Sequence, residues 1–187
     1  MKKSMPRHSE SKPKKDIRTR LFLSVHFSKL SSLMSKPIKL LISLLLPQIA
    51  GGLGAFFTLN SVREWYLTIN RPEWNPPNWI FGPVWTTLYV LMGISCFLIW
   101  KSEHPLKKQF LTLYFIQLGL NALWSPAFFG AQSPILGLAV IIPLWVSILI
   151  CIVQFKKVSR WASGLLVPYL LWVSFATVLN GTIWWLN

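Results

Sequence analysis

The chain has 187 residues, of which 53% are hydrophobic and only 13% are charged. This balance excludes an ordinary water-soluble domain and predicts a protein solvated largely by lipid. A net charge of +14 would suit a nucleic-acid partner, but residues 1–39 alone carry +9 of it and leave a nearly uncharged body. We therefore predict a lipid bilayer as the environment and no nucleic-acid partner.

The first predicted segment is a basic N-terminal extension, residues 1–38, which precedes a membrane domain at residues 39–187. Its Lys, Arg and Ser content favours a disordered tail that touches anionic lipid. Two other interpretations stay open: a transit peptide, or an upstream extension that is not made because translation starts at Met34. All candidate pocket residues follow Leu40, so residues 1–33 are predicted to be dispensable for ligand binding.

Long uncharged stretches predict the transmembrane helices. The first covers residues 40–62, and the second covers residues 74–100, where a proline-rich beginning delays the helix until about Ile80. The run at 109–155 is too long for one crossing and has a turn signal at 129–134, so it predicts a helical hairpin. With a last span at 161–187, the prediction is an all-α bundle of five transmembrane helices.

The charges of the loops predict the orientation. The tail and the second and fourth loops are basic, whereas the first loop is balanced and the third is uncharged. Because Lys and Arg are retained on the cytoplasmic side, the N-terminus should lie inside and the C-terminus outside. We expect a multi-pass protein of a bacterial membrane, with an organelle membrane as the alternative.

Several classes of function find no support in the sequence. No span contains a formal charge, which disfavours an ion pump or a proton-coupled transporter. The sequence has no phosphate-binding loop, no dinucleotide fingerprint and no Ser, His and Asp set within the spans. Cys96 and Cys151 are each isolated in apolar runs, so the sequence predicts neither a metal site nor a disulfide.

The 11 tryptophans are far more than a chain of this length ordinarily contains. Five lie at or near span ends, where indoles favour the headgroup boundary, and we interpret them as anchors: Trp65, Trp100, Trp161, Trp184 and Trp185. Four lie in or close to span interiors and are candidates for a pocket wall: Trp85, Trp124, Trp145 and Trp172. Ordinary core packing is the alternative for these four.

Side-chain amides accompany the interior tryptophans. Gln117 and Asn121 are one helical turn apart, with Trp124 three residues further along. Asn180 follows Trp172 and Ala176 at successive steps of four residues. Amides inside a bilayer must find hydrogen bonds, so they either bridge helices or present donors to a ligand.

One long motif makes the sequence recognisable. Residues 74–89, WNPPNWIFGPVWTTLY, closely resemble the first loop and second helix of the tryptophan-rich sensory protein family, also called the translocator protein or peripheral benzodiazepine receptor family. The resemblance covers roughly residues 40–185 and continues at several later places: 117–121, Trp124, 128–129, 168–169, Trp172, 175–177 and 179–180.

The resemblance implies a five-helix bundle, commonly a homodimer, whose pocket is capped by the first loop and takes porphyrins, sterols and synthetic aromatic ligands. Carried over to this sequence, the pocket residues are Phe81, Trp85, Trp124, Trp172, Ala176 and Leu179. Asn121 joins these ligand-binding candidates through its amide. The sterol-recognition pattern of animal members is incomplete here, because residues 181–187 contain neither its tyrosine nor its arginine.

We therefore expect a membrane binding protein with a sensory or regulatory role that requires no cofactor. Its expected ligand is a porphyrin-like tetrapyrrole, including haem, or another flat apolar molecule such as a sterol. One alternative is an enzyme that degrades porphyrin in the light. Trp85 and Trp172 would then be the catalytic residues, because they match tryptophans linked to that reaction in some bacterial members. The other alternative is a passive transporter of porphyrins or sterols.

Overall fold

The computed structural model describes residues 34–187 apart from the side chain of Asn60, so the predictions for residues 1–33 lie outside the described part. All regular secondary structure in that part is helical, which confirms the all-α class. Its elements are α1 (Lys36–Arg63), α2 (Trp65–Thr68), α3 (Asn78–Trp100), α4 (Lys107–Ser125), a π-helical turn (Pro126–Gly130), α5 (Pro134–Lys156), α6 (Arg160–Gly164) and α7 (Val167–Leu186).

Four of the described helical segments are long and apolar enough to cross a membrane: α1, α3, α5 and the α6–α7 segment Arg160–Leu186. Their outward side chains are apolar, as Phe56 shows with 67% exposure, whereas Ser43 and Asn180 are buried. Apolar surface outside and polar groups inside suit a lipid solvent. The chain is an integral membrane protein.

Helix α4, with 19 residues, is not among those four segments. It begins with Lys107, Lys108 and Gln109 and carries Gln117 and Asn121 further along, and these polar residues lower its hydropathy. It nevertheless packs against α1 and α5 as a full-length member of the bundle. The fifth crossing, which α4 would provide, stays a prediction.

Helices α1 and α3 are longer than the sequence-based expectation. Helix α1 extends beyond residues 40–62 to Lys36 and Arg63, because long basic side chains can reach the headgroups while the helix continues. Helix α3 begins at Asn78 rather than Ile80, since Pro77 has an extended ψ of 139° and the helix starts directly after it. Both differences lengthen a predicted helix without changing its place.

The helices form a ring in which small residues mark the close crossings. Helix α1 packs against α3 and α4, while α5 packs against α4 and α7. A Cβ atom on Gly93 of α3 would lie 2.7 Å from the Ser43 carbonyl oxygen of α1, and one on Gly137 of α5 would lie 2.6 Å from Asn180 Oδ1 of α7. Glycine at these points lets helices approach closely, as is usual in membranes.

Helix α3 closes the ring against the α6–α7 segment, but differently at its two ends. Towards its Trp100 end, Ser95 Oγ donates to the Ala162 carbonyl at 2.7 Å. Towards its Asn78 end there is little backbone contact with α7, and aromatic rings fill the space between the two helices. The loop between α1 and α3 reaches the same end, where its Trp74 meets Phe175 of α7.

Candidate functional site

An apolar cluster occupies the end of the bundle where α4 finishes and α5 begins. Its buried members are Tyr66, Phe128, Leu179 and Ile183, and the partly buried side chains packed against it include Phe81, Trp124, Phe129 and Phe175. Trp124 stacks on Phe128 with ring centroids 5.3 Å apart. We call this group the aromatic cluster. It brings together three of the predicted pocket residues, Phe81, Trp124 and Leu179.

The segment between α1 and α3, residues 64–77, folds back over the aromatic cluster, and we call it loop 1. Tyr66 is buried and its hydroxyl donates to Asn75 Oδ1 at 2.8 Å. Burial raises the pKa of Tyr66, and the Arg71 guanidinium, 5.1 Å from the ring centre, partly offsets the shift. The phenol therefore keeps its proton at neutral pH and holds loop 1 in place.

Trp172 lies in the space between α3 and α7. Its ring meets Phe81 of α3 edge-on at 5.8 Å and lies 5.5 Å from Phe175 on its own helix. Phe175 in turn meets Trp74 of loop 1 at 5.9 Å. The Trp172 indole N–H is buried and has no hydrogen-bond partner within residues 34–187. Ala176, one turn further along α7, is buried.

A hydrogen-bonded group lies one to two turns further along α3. The Tyr89 hydroxyl donates to Asn121 Oδ1 at 3.2 Å, and Asn121 Nδ2 donates to the Tyr169 hydroxyl at 3.0 Å. Trp85 stacks on Tyr89 at 5.4 Å and meets Tyr169 edge-on at 6.2 Å. A Cβ on Gly51 of α1 would overlap the Tyr89 ring, so glycine there makes room for the tyrosine. We call Tyr89, Asn121 and Tyr169 the tyrosine–asparagine network.

Two of the three amides bridge helices in this structure, and whether they also contact a ligand stays a prediction. Asn121 bridges α3, α4 and α7 through the network. Asn180 accepts from Trp124 Nε1 at 3.3 Å and donates to the Pro134 carbonyl at 2.8 Å, so it joins α7 to α4 and to the start of α5. Gln117 is 1% exposed, and neither atom of its amide group finds a partner among the described residues.

The remaining tryptophans divide into exposed and packed ones. Trp161 and Trp185 are 81% and 82% exposed, as expected of anchors. Trp145 donates to Ser174 Oγ at 2.7 Å and lines an outer groove between α5 and α7, beside exposed apolar residues. The anchor interpretation was wrong for Trp100, which is 8% exposed. Trp65 is partly buried and packs on Phe128, and its role as an anchor stays a prediction.

Three tyrosines at the site were missed by reasoning from the sequence: Tyr66, Tyr89 and Tyr169. Two of them had a detectable signal. Tyr89 is four residues after Trp85, and Tyr169 is three residues before Trp172, spacings that place each pair on one helical face. The burial of Tyr66 depends on the path of loop 1, which periodicity does not specify.

Together these features define a class: an integral membrane helical bundle with a tryptophan-rich aromatic interior beneath a folded loop. The model of the TspO/MBR family matches residues 43–186. The chain is 44% identical to the tryptophan-rich protein TspO of Archaeoglobus fulgidus, over 80% of this chain and 97% of that protein. It is 45% identical to the TspO of Chlorobaculum tepidum, over 73% and 88% of the two chains.

The chain is also similar to a vertebrate protein. The human translocator protein is 39% identical over 75% of this chain and 85% of its own length. The family model covers most of the chain, and each of these relatives is matched over most of its length. The chain belongs to the TspO/MBR family.

Proposed function

We propose that the protein binds a porphyrin-like tetrapyrrole between α3 and α7, beneath loop 1, and serves a sensory or regulatory role in its membrane. Porphyrin or haem is then a ligand, and no cofactor is required. Flat apolar molecules bind well where aromatic rings offer stacking faces and edges and a few polar groups fix orientation. The names of two relatives, a sensory protein and a translocator protein, support a role in sensing or in translocation.

The observation that carries the proposal concerns the indole N–H of Trp172. Its N–H is buried without a partner in residues 34–187, between the Phe81 and Phe175 rings. A buried donor with no acceptor costs free energy, and a ligand acceptor removes that cost. A propionate carboxylate of a porphyrin is such an acceptor. Ala176, one turn further along the same helix face, has a small side chain, so a flat ligand could lie beside the ring there.

A titration of tryptophan fluorescence with protoporphyrin, haem and cholesterol tests the proposal. Ala176→Leu should weaken protoporphyrin binding roughly tenfold or more, because overpacking a filled site typically costs about 1–3 kcal/mol. Trp172→Phe should bind moderately, since it keeps the apolar wall and loses only the indole. The matched control is Trp161→Phe, which removes an 81% exposed tryptophan. Wild-type affinity in folded Ala176→Leu protein would remove this helix face from the site.

A second candidate function, light-driven porphyrin breakdown, is favoured by the contacts of Trp85. This indole stacks on Tyr89 and touches Tyr169, so oxidisable rings adjoin the proposed ligand position. Illuminating the protoporphyrin complex in air, with dioxygen as oxidant, should then bleach its absorbance, and Trp172→Phe should suppress the bleaching. Stable absorbance under illumination would contradict porphyrin breakdown and leave ligand binding as the proposed function. Flux of porphyrin into proteoliposomes tests the transport alternative.

The expected homodimer is likewise a proposal for this chain. Nothing in the ligand site described above requires a second copy, so binding and assembly can be measured separately. The mass of the protein in detergent, measured by light scattering with the detergent contribution subtracted, decides between one and two chains.

A further inference from the structure

Asn187, the residue after α7, is hydrogen-bonded to the middle of loop 1. Its Oδ1 accepts from the Asn70 backbone N–H at 2.9 Å, and its Nδ2 donates to the Asn70 carbonyl at 3.0 Å. The Asn70 side chain donates to the Leu186 carbonyl at 3.2 Å. Asn187 Nδ2 also donates to the Ile183 carbonyl at 2.8 Å, which fixes the amide to its own helix. We call this arrangement the Asn70–Asn187 clasp.

The clasp holds a part of loop 1 that lies between two aromatic anchors. Tyr66 is buried in the aromatic cluster, and Trp74 rests on Phe175 of α7. Phe175 and Asn187 are twelve residues apart, which corresponds to roughly 18 Å along a helix. Loop 1 is therefore tied to α7 at two well-separated points, one apolar and one hydrogen-bonded.

The clasped segment also lines an open groove on the surface of loop 1. This groove has a volume of about 550 Å³ and is lined by residues 69–72 and 75–78. Asn70 belongs to its wall, so the position of Asn70 affects the shape of the groove. If the proposed ligand leaves from beneath loop 1, this segment has to move, and that movement breaks the hydrogen bonds of the clasp.

We infer that Asn187 is a positioning residue that holds loop 1 closed over the ligand site and thereby slows ligand release. The effect of Asn187 on ligand release rests on the proposed function, whereas its effect on the position of loop 1 does not. Asn187→Ala removes both hydrogen bonds to the Asn70 backbone. Because exposed hydrogen bonds have modest net energies, we expect ligand dissociation from Asn187→Ala to be about five- to tenfold faster than from wild type.

The two asparagines should not be equivalent. Asn70→Ala keeps the backbone N–H and carbonyl that Asn187 binds, and loses only the bond to Leu186. We therefore expect a smaller effect than for Asn187→Ala. Asn187→Asp should resemble Asn187→Ala, because its carboxylate keeps one acceptor but faces the Asn70 carbonyl without a donor. Thr182→Ala is the matched control, since that hydroxyl donates only to the Val178 carbonyl of its own helix.

The first measurement needs no ligand. Hydrogen exchange of peptides covering residues 65–77 should accelerate in Asn187→Ala and Asn187→Asp, and should match wild type in Thr182→Ala. A residue that merely caps α7 would change exchange in the last turn of that helix and leave loop 1 alone. Unchanged exchange in loop 1 would overturn the inference.

The second measurement is the rate at which protoporphyrin leaves the protein, followed by stopped-flow transfer into an excess of phosphatidylcholine vesicles. Faster release in Asn187→Ala, with Asn70→Ala intermediate, supports the inference. Wild-type release rates combined with faster loop exchange would show that the ligand does not leave past loop 1, and would overturn it. If wild-type protein binds no protoporphyrin, the proposed function fails, and the exchange experiment still decides whether Asn187 holds the loop.

Discussion

Replacing Asn121 with leucine should destabilise the protein through two tyrosines on other helices. The Asn121 amide accepts from the Tyr89 hydroxyl and donates to the Tyr169 hydroxyl. Leucine has nearly the same size, so the packing loss is small, but both tyrosines lose a partner inside the bundle. Hydrogen bonds within membrane proteins contribute about 0.6–2 kcal/mol each, so the expected loss is roughly 1–4 kcal/mol.

A compensating variant separates the hydrogen bonds from the packing. In the triple variant Tyr89→Phe, Asn121→Leu, Tyr169→Phe, the hydroxyls and the amide disappear together and no polar group is stranded. Replacing all partners by apolar groups of similar shape is often nearly neutral, so the triple variant should regain most of the lost stability. The aromatic contact of residue 89 with Trp85 is retained in this variant.

The assay is the loss of native tryptophan fluorescence in detergent at a series of temperatures, analysed as unfolding rates because membrane proteins often unfold irreversibly. Asn121→Leu should unfold faster than wild type, and the triple variant should be slower than Asn121→Leu. A triple variant that unfolds as fast as Asn121→Leu would refute the reasoning, because the loss would then come from packing. Wild-type unfolding rates in Asn121→Leu would refute it as well.

Three further predictions follow from the bundle. Gly93→Ala should lower the unfolding temperature, because the new Cβ would lie 2.7 Å from a backbone carbonyl of α1, whereas Gly119→Ala, whose Cβ meets nothing within 4 Å, should not. Cysteines at Glu103 and Ala131, both exposed, should be labelled from opposite membrane sides; same-side labelling would show that α4 does not cross. A chain started at Met34 should retain protoporphyrin binding, and its loss in folded protein would place the tail in the site.

The helices could be predicted from the sequence because the lipid environment imposes one strict requirement on the backbone. Every peptide group within the bilayer must bond inside the chain, so a long uncharged stretch becomes a helix almost regardless of its details. Helices α1, α3 and α5 follow that rule even with Pro47, Pro83 and Pro143 inside them. The path of loop 1 obeys no such rule, since loop 1 lies outside the lipid and can satisfy its backbone groups in many ways.

The site was predictable to the extent that a residue's own chemistry indicates burial. Asn121 was found because an amide within a span needs partners, yet the sequence did not reveal that those partners are Tyr89 and Tyr169. Contacts between helices depend on how each helix is rotated and shifted against its neighbours. Trp145 illustrates this limit of prediction from the sequence, because its indole N–H donates to Ser174 at the outer face of the bundle rather than in the interior. Residue type alone could not distinguish it from Trp172.

The two halves of the site are held by different forces, and that difference bears on how a ligand enters. Hydrogen bonds join the helices through the tyrosine–asparagine network and, towards the Trp100 end of α3, through Ser95 and Ala162. Nearer loop 1, α3 and α7 meet through ring contacts, which are worth about 0.5–1.5 kcal/mol per pair beyond burial and tolerate a change of angle. If the proposed ligand binds there, the rings and loop 1 can rearrange around it while the hydrogen-bonded part keeps the helices in register.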